Sequence, residues 1–469
     1  MTEPQEVPGE QLPAVRVTPP GPRSLEALAG LRAQAPMGPR AAQSSGPAGS
    51  GTAGSGTAGS GTAGSGTAGS GTAGSGTAGS GTIVLSEGVG SNVLDLDGNR
   101  YVDLAAGFGA LLLGHSPEPI RTALQEQSSR LLQALGDVLP SDTKLSLLPR
   151  LARLHPSPGA QVILGQSGAD AVTAAIKSAV LSTGRTGLLA FQGSYHGLSY
   201  GALAVTDLRR GYRAPFARHL PSAVHFAPYP GSAPAMDAAL AAVRAVLASR
   251  EVAAVVLEPI LGRGGVIVPP PGFLSELGRL ARQSGTLIIA DEIWTGLGRA
   301  GAWLASCDEA DFTPDLICLG KGLAGGLPLS ACLGTAEVMA AWSQEEEVVH
   351  TSTFAGAPLA CSAALATLEA LETGKLAERS AELGREWKER LESGLAGRAG
   401  YAVRGKGLMI GIECGALGAA PLQKRLLGRG FVTSTGGGQR DVLVLTPPLT
   451  VGRAQLEAFD AALFDCLRS

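Results

Sequence analysis

From Leu145 to about Leu371, short aliphatic runs alternate with longer amphipathic stretches. The runs Val162–Leu164, Leu188–Phe191, Val252–Leu257, Leu287–Ala290 and Leu316–Leu319 are closed by polar or glycine residues, which predicts buried strands. Between them, Ala169–Leu181, Ala235–Ser249 and Gly272–Gln283 have helical spacing. That rhythm predicts an α/β unit with a mostly parallel sheet covered on both faces. Upstream, Val93–Leu96, Asp97-Gly98 and Tyr101–Leu104 read as strand, turn and strand, since Asp-Gly supplies the positive φ of a hairpin turn. Helical spacing follows at Pro119–Leu132. Beyond Thr373 come a charged amphipathic helix, Leu376–Leu395, mixed strands at Gly407–Glu413 and Val442–Leu445, and a closing helix at Ala454–Leu467. This end reads as a second, α+β domain.

At 469 residues the chain can bury a large core and hold two domains plus tails. The expected division is a disordered tail and linker over 1–82, the N-terminal part of a small domain over 83–135, a large domain over 136–371, and the rest of the small domain over 372–469. Within the tail, one piece at Ser24–Gln34 looks helical, and AGSGT repeats seven times from Ala48 to Thr82. A five-residue period of small residues buries nothing, so it reads as a coil spanning roughly 30 Å r.m.s..

A net charge of -3 and a pI near 6.1 give no basic face for nucleic acid. Six scattered cysteines show no CxxC and no Cys/His metal spacing, which fits a reducing compartment and argues against zinc. No secretory leader or long apolar run appears. The expectation is a soluble, cytoplasmic protein without a membrane or nucleic-acid partner.

Chemistry gathers where the strands end, since ligands of open α/β sheets bind at the strand C-termini. Asp291-Glu292 closes Leu287–Ala290, and Lys321 stands in Gly320-Lys321-Gly322 just past Leu316–Leu319. Desolvation of a lysine there lowers its pKa and frees the lone pair for a carbonyl partner. A surface lysine after a strand is the bland alternative. Ser167, in Gln166-Ser167-Gly168-Ala169-Asp170, suits an N-cap, and such a helix start can also hold phosphate. Tyr195, in Gly193-Ser194-Tyr195-His196-Gly197, could stack on a flat ring, while His196 suits either a packed core or a cofactor site. Glu258-Pro259 ends another strand before Gly262-Arg263-Gly264-Gly265, and Arg404 is a candidate cationic partner for Glu258.

Together these pieces resemble the class III pyridoxal-phosphate-dependent aminotransferases of fold type I, the group of 4-aminobutyrate, ornithine and acetylornithine aminotransferases. The likeness runs from about Ile83 to the C-terminus. It rests on DLDGNRYVDL, LGHSPEPI, SGADAV, SYHG, EPI, ADEIWTGLGRAG, LGKGLAGGLP, HTSTFAGAPLACSAALATLE, VRGKGLMIGIE and TPPLT in order. It implies a large domain with a mostly parallel seven-stranded sheet and a smaller domain made by the N- and C-terminal segments. It implies pyridoxal phosphate held by Lys321 as an internal aldimine, with Asp291 on the pyridine nitrogen and Tyr195 and Ile293 flanking the ring. Ser167, Gly168 and Ala169 would cradle the phosphate, with His196 also at the cofactor, and Thr353 would reach the phosphate of a neighbouring subunit in a homodimer. Arg404 would take a substrate carboxylate with Glu258 as movable counter-ion, and Trp294 and Phe108 would line the substrate side.

The implied activity moves an amino group from an amino acid or amine to a 2-oxo acid, 2-oxoglutarate being expected, by a ping-pong exchange. A racemase or epimerase on the same scaffold needs the same Lys321 and Asp291, and a non-catalytic cofactor-binding protein is a remoter reading. Three departures bear on these expectations. Trp294 stands where the family often has Gln. TFGGNPLA reads TFAGAPLA, with Ala355 and Ala357. Leu198 replaces the arginine that follows FHG in 4-aminobutyrate aminotransferases, which removes one anchor for an ω-carboxylate.

Overall fold

The computed structural model describes residues 8–34, 82–344 and 347–468. Three sheets organise it. The first contains β1 (Leu85–Val89), β2 (Asn92–Asp95) and β3 (Arg100–Asp103). The hairpin of β2 and β3 turns at Asp97-Gly98, with Gly98 at φ 82° as the turn requires.

The central sheet holds seven strands: β4 (Gln161–Gly165), β5 (Gly187–Phe191), β6 (Val224–Ala227), β7 (Val252–Leu257), β8 (Leu287–Asp291), β9 (Leu316–Leu319) and β10 (Ser330–Gly334). Their order is β4-β10-β9-β8-β7-β5-β6, and only β10 runs antiparallel to its neighbours. The apolar runs are continuous because both faces are covered. Leu188, Ala190, Ala254 and Val256 pack on the helix Gly168–Thr183. Leu189, Phe191, Val255 and Leu257 face the helices Ala233–Leu247 and Phe273–Ser284 on the opposite side.

The C-terminal chain forms β11 (Tyr401–Lys406), β12 (Met409–Cys414), β13 (Phe431–Val432), β14 (Ser434–Gly436) and β15 (Val442–Leu445). Strands β11, β12, β15 and β14 make the third sheet, whereas β13 pairs in parallel with β3 and so joins the two chain ends in one sheet. Among the described residues, no helix is long and apolar enough to cross a membrane.

The expected disordered tail needs correction over residues 8–34. Ala14 bridges Arg100 at the edge of the first sheet. The buried Asn99 amide accepts the backbone N–H groups of Arg16 (2.7 Å) and Val17 (2.8 Å). Asp97 accepts the N–H groups of Arg23 and Ser24 at the start of the helix Pro22–Gln34, serving as its cap from a distant part of the chain. On the far side of the repeat, Val84 N–H donates to Ser24 Oγ (3.4 Å). The chain before the repeat and the chain after it therefore meet on one surface. The repeat itself, up to residue 81, lies outside the described residues.

Asn99→Ala would remove the acceptor of two part-buried N–H groups, at about 0.5–1.5 kcal/mol each. We expect faster proteolytic clipping within residues 8–34, with specific activity unchanged. Unchanged clipping would contradict the anchoring role.

Candidate active site

Because β10 alone is reversed, the C-terminal ends of β4, β5, β7, β8 and β9 open on one edge. That edge receives Ser167 after β4, Tyr195 and His196 after β5, Glu258 after β7, Asp291 at the end of β8 and Lys321 beyond β9. Asp291 is in register with Cys318 of β9, which sets the carboxylate and the lysine on adjacent strands.

Asp291 is buried; its Oδ2 lies 2.7 Å from His196 Nδ1 and its Oδ1 accepts from Ile293 N–H at 3.1 Å. Burial alone would depress the His196 imidazole, but the hydrogen bond and charge of Asp291 prevail and hold its pKa above the ordinary value. The other imidazole nitrogen, Nε2, is buried without a partner. His196 is thus both packed in the core and bonded to Asp291.

Lys321 is half-buried and has φ 41°, a conformation costly for a residue other than glycine and found preferentially at functional sites. The turn Lys321–Ala324 that carries it is pressed against Leu112, because a Cβ at Gly322 would sit 2.4 Å from Leu112 Cγ. Burial pulls the amine down to about 8, against the opposing charges of Asp291 and Glu258, with Arg263 reinforcing the depression. Its Nζ sits 4.7 Å from the centre of the Trp294 ring.

Close approaches between backbone and side chains surround these groups. A Cβ at Gly168 would lie 2.8 Å from Ile293 Cδ1, and one at Gly320 would lie 3.3 Å from Ile293 Cγ2. Gly197 packs on Ala169, where an added Cβ would meet that residue's Cβ at 2.7 Å. The glycines therefore bring the helix start, the Tyr195 loop and Ile293 close together. Ser167 caps the helix Gly168–Thr183 in a capping box with Asp170, its Oγ accepting from Asp170 N–H at 3.3 Å. Trp294 is buried, with an unpartnered Nε1, and both Gly109 and Gly262 pack on its ring. Phe108 precedes Gly109, at φ 60° and 46% exposed, on that same side.

The expected Arg404–Glu258 pair does not form. Arg404 instead donates its Nε–H to Gly265 O at 2.6 Å and pairs with Glu413 on the adjoining strand β12. Glu258 is buried and accepts the N–H groups of Tyr195 and Gly262, both at 2.9 Å. Burial raises its pKa, against the lowering effect of His196. These bonds tie Glu258 to the two loops that carry Tyr195 and Arg263, while Arg404 buttresses the second loop. Thr353 is exposed beside Phe354, and its carbonyl accepts from Gln133 Nε2 at 2.7 Å.

The class-III aminotransferase family matches residues 75–467. The chain belongs to this family. Acetylornithine aminotransferase of Methanosarcina mazei is 36% identical over 381 residues, which cover 80% of this chain and 89% of that protein. Among solved structures, an amine transaminase from an uncultivated Pseudomonas species, in its PLP-bound form, superposes with TM-score 0.76 at 29% identity, covering 83% of this chain and 95% of the other. Ornithine aminotransferase from Toxoplasma gondii superposes with TM-score 0.75 at 29% identity, over 82% and 90% of the two chains. This class-III aminotransferase therefore has the fold type I architecture and uses pyridoxal phosphate. These relatives favour transamination over racemisation.

The residues present suit that cofactor. Asp291 is held by His196 where a pyridinium could meet it, Lys321 offers a depressed amine, and the capped helix start offers N–H groups to a phosphate. Arg263 was not singled out as a site residue from sequence. Its guanidinium lies 4.4 Å from the centre of the Tyr195 ring. The available signal was a lone cation in a glycine-rich loop just after a strand end.

Proposed function

We propose that this aminotransferase moves an amino group from an amino-acid donor to 2-oxoglutarate in two half-reactions, with Lys321 as covalent anchor and proton carrier. The observation that carries the reading is the placement of a depressed lysine amine and a histidine-bonded carboxylate at the ends of adjacent parallel strands. When bound among these residues, pyridoxal phosphate would supply an electron-poor ring that stabilises the electron pair left when the substrate Cα–H bond breaks.

Asp291, fixed by His196 and Ile293 N–H, holds a proton on the ring nitrogen. Tyr195 and Ile293 would flank the ring. Ser167, Gly168 and Ala169 present the helix start to the phosphate. Lys321, once free of the cofactor, would take the proton from the substrate Cα and would hold it for delivery to the cofactor carbon the lysine had occupied. Trp294 and Phe108 bound the donor side. Thr353 serves the phosphate of a second subunit, a homodimeric arrangement supported by its exposure beside the 59% exposed Phe354. The cofactor-binding unit spans 136–371, and the absence of any CxxC pattern supports a cytoplasmic setting.

The test is a donor screen on cofactor-loaded protein, with 2-oxoglutarate or pyruvate as acceptor. Loss of the visible cofactor band on adding an amino-acid donor, and its return on adding 2-oxoglutarate, is the expected result. A band that no donor alters would defeat the proposal.

A further inference from the structure

Resting on that reading, we propose that Arg263, backed by Arg209 and Arg440, is the anchor for a substrate carboxylate and selects short dicarboxylic acids. Three features place it there. Arg263 lies on the loop that Glu258 fastens through Gly262 N–H and that Arg404 fastens through Gly265 O. Its guanidinium covers Tyr195, the aromatic at the C-terminal end of β5. Its charge is felt at Lys321 and at the Tyr195 phenol, so it borders the reacting region.

Charge balance supplies the rest. Arg404, which holds the same loop, is already paired with Glu413. Among the described residues, no carboxylate forms an ion pair with Arg263, Arg209 or Arg440. Arg209 donates to the carbonyls of Gly437 and Gly438, both at 3.3 Å, and feels the repulsion of Arg440 and Arg263. The same loop binds the other two: Gly437 N–H donates to Arg263 O at 2.9 Å, and Arg440 N–H to Gly437 O at 3.1 Å. Three half-buried arginines on three adjoining segments, none ion-paired with a carboxylate among the described residues, leave a positive field beside the site. A carboxylate matches it, and the guanidinium fork can bind both oxygens. A donor or acceptor with a second carboxylate gains most, since Asp291 and Glu258 repel an anion at the strand ends themselves.

The test compares wild type, Arg263→Met and Arg263→Lys as cofactor-loaded proteins. Methionine keeps apolar contact with Tyr195 and removes the charge, and lysine restores the charge without the fork. Glutarate, which cannot react, is titrated by calorimetry and by its effect on the visible spectrum. We expect its Kd to rise about 10- to 100-fold in Arg263→Met and to recover in part in Arg263→Lys. KM for 2-oxoglutarate rises in parallel, and KM for an amine donor without a carboxylate stays within about twofold. Unchanged glutarate affinity in Arg263→Met overturns the proposal. So does equal weakening toward glutarate and the uncharged amine, which would assign Arg263 to holding Tyr195 alone. If no donor reacts with wild type, the proposed function fails, while the glutarate titration still decides the role of Arg263.

Discussion

Lys321→Ala lowers turnover by about 10⁴-fold or more, because the residue serves as both cofactor anchor and proton carrier and general acid–base catalysis alone contributes up to about that factor. The backbone at this position is held at φ 41° in a turn pressed on Leu112, so the amine is aimed by the fold rather than by a flexible stem. With its pKa pulled to about 8, roughly a quarter of the lysine is neutral at pH 7.5, against about 0.1% at its ordinary value. The rate at which cofactor-free protein captures pyridoxal phosphate should therefore climb with pH and level off just above 8. A rate still climbing tenfold per unit at pH 9.5 would contradict the depressed amine.

The same shift has a stability consequence with a definite sign. Between pH 8 and 10.5 the unfolded chain keeps this proton and the folded chain has lost it. Stability of the cofactor-free protein contributed by this group therefore rises with pH across that window and is lost as pH falls through 8. Lys321→Ala removes this slope, which urea titrations at several pH values would measure. Normal turnover by the variant, or cofactor joined to another lysine after borohydride treatment and peptide mapping, would remove the basis for the proposed function.

Asp291→Ala is expected to weaken cofactor retention and to slow proton abstraction together, by about 10²–10³-fold in turnover. The carboxylate sits 2.7 Å from His196 and receives Ile293 N–H, so its charge is pre-oriented in a buried setting. Without it, His196 loses the interaction that raises its pKa, and burial leaves the imidazole neutral. Asp291→Asn keeps the volume and tests the charge by itself. Gel filtration followed by absorption measures retention, and single-turnover mixing with donor measures proton abstraction. Turnover within about threefold of wild type in both variants would show that the carboxylate has no part in the chemistry.

Local pattern carried much of the fold. The runs at Val252–Leu257, Leu316–Leu319 and Val442–Leu445 coincide with β7, β9 and β15, and the amphipathic stretch at Leu376–Leu395 is a helix over the same residues. Periodicity is a property of neighbouring residues, so it needs no knowledge of partners. Ser330–Gly334 had no such signal: SACLG is short and built of small residues, and it becomes the one antiparallel strand of the central sheet only because β4 and β9 flank it. Val224–Ala227 escaped notice similarly, as an edge strand interrupted by His225.

The site divides along the same line. Asp291, Lys321, Ser167 and Tyr195 were legible because each stands beside a strand end, and parallel strands bring their ends to one edge. The sequence by itself determined which residues arrive there. Only tertiary structure decided what they touch once they arrive. Arg404 took Glu413 across β11 and β12 instead of Glu258, Glu258 took two backbone N–H groups, and Arg263 was left facing Tyr195 with no ion-paired carboxylate among the described residues. Residues 8–34 likewise gained their structure from Asn99 and Asp97, well over sixty residues away in the chain. A charge or an amide pairs through space within a few ångströms, and nothing in the spacing along a chain records which of several distant groups will come that close.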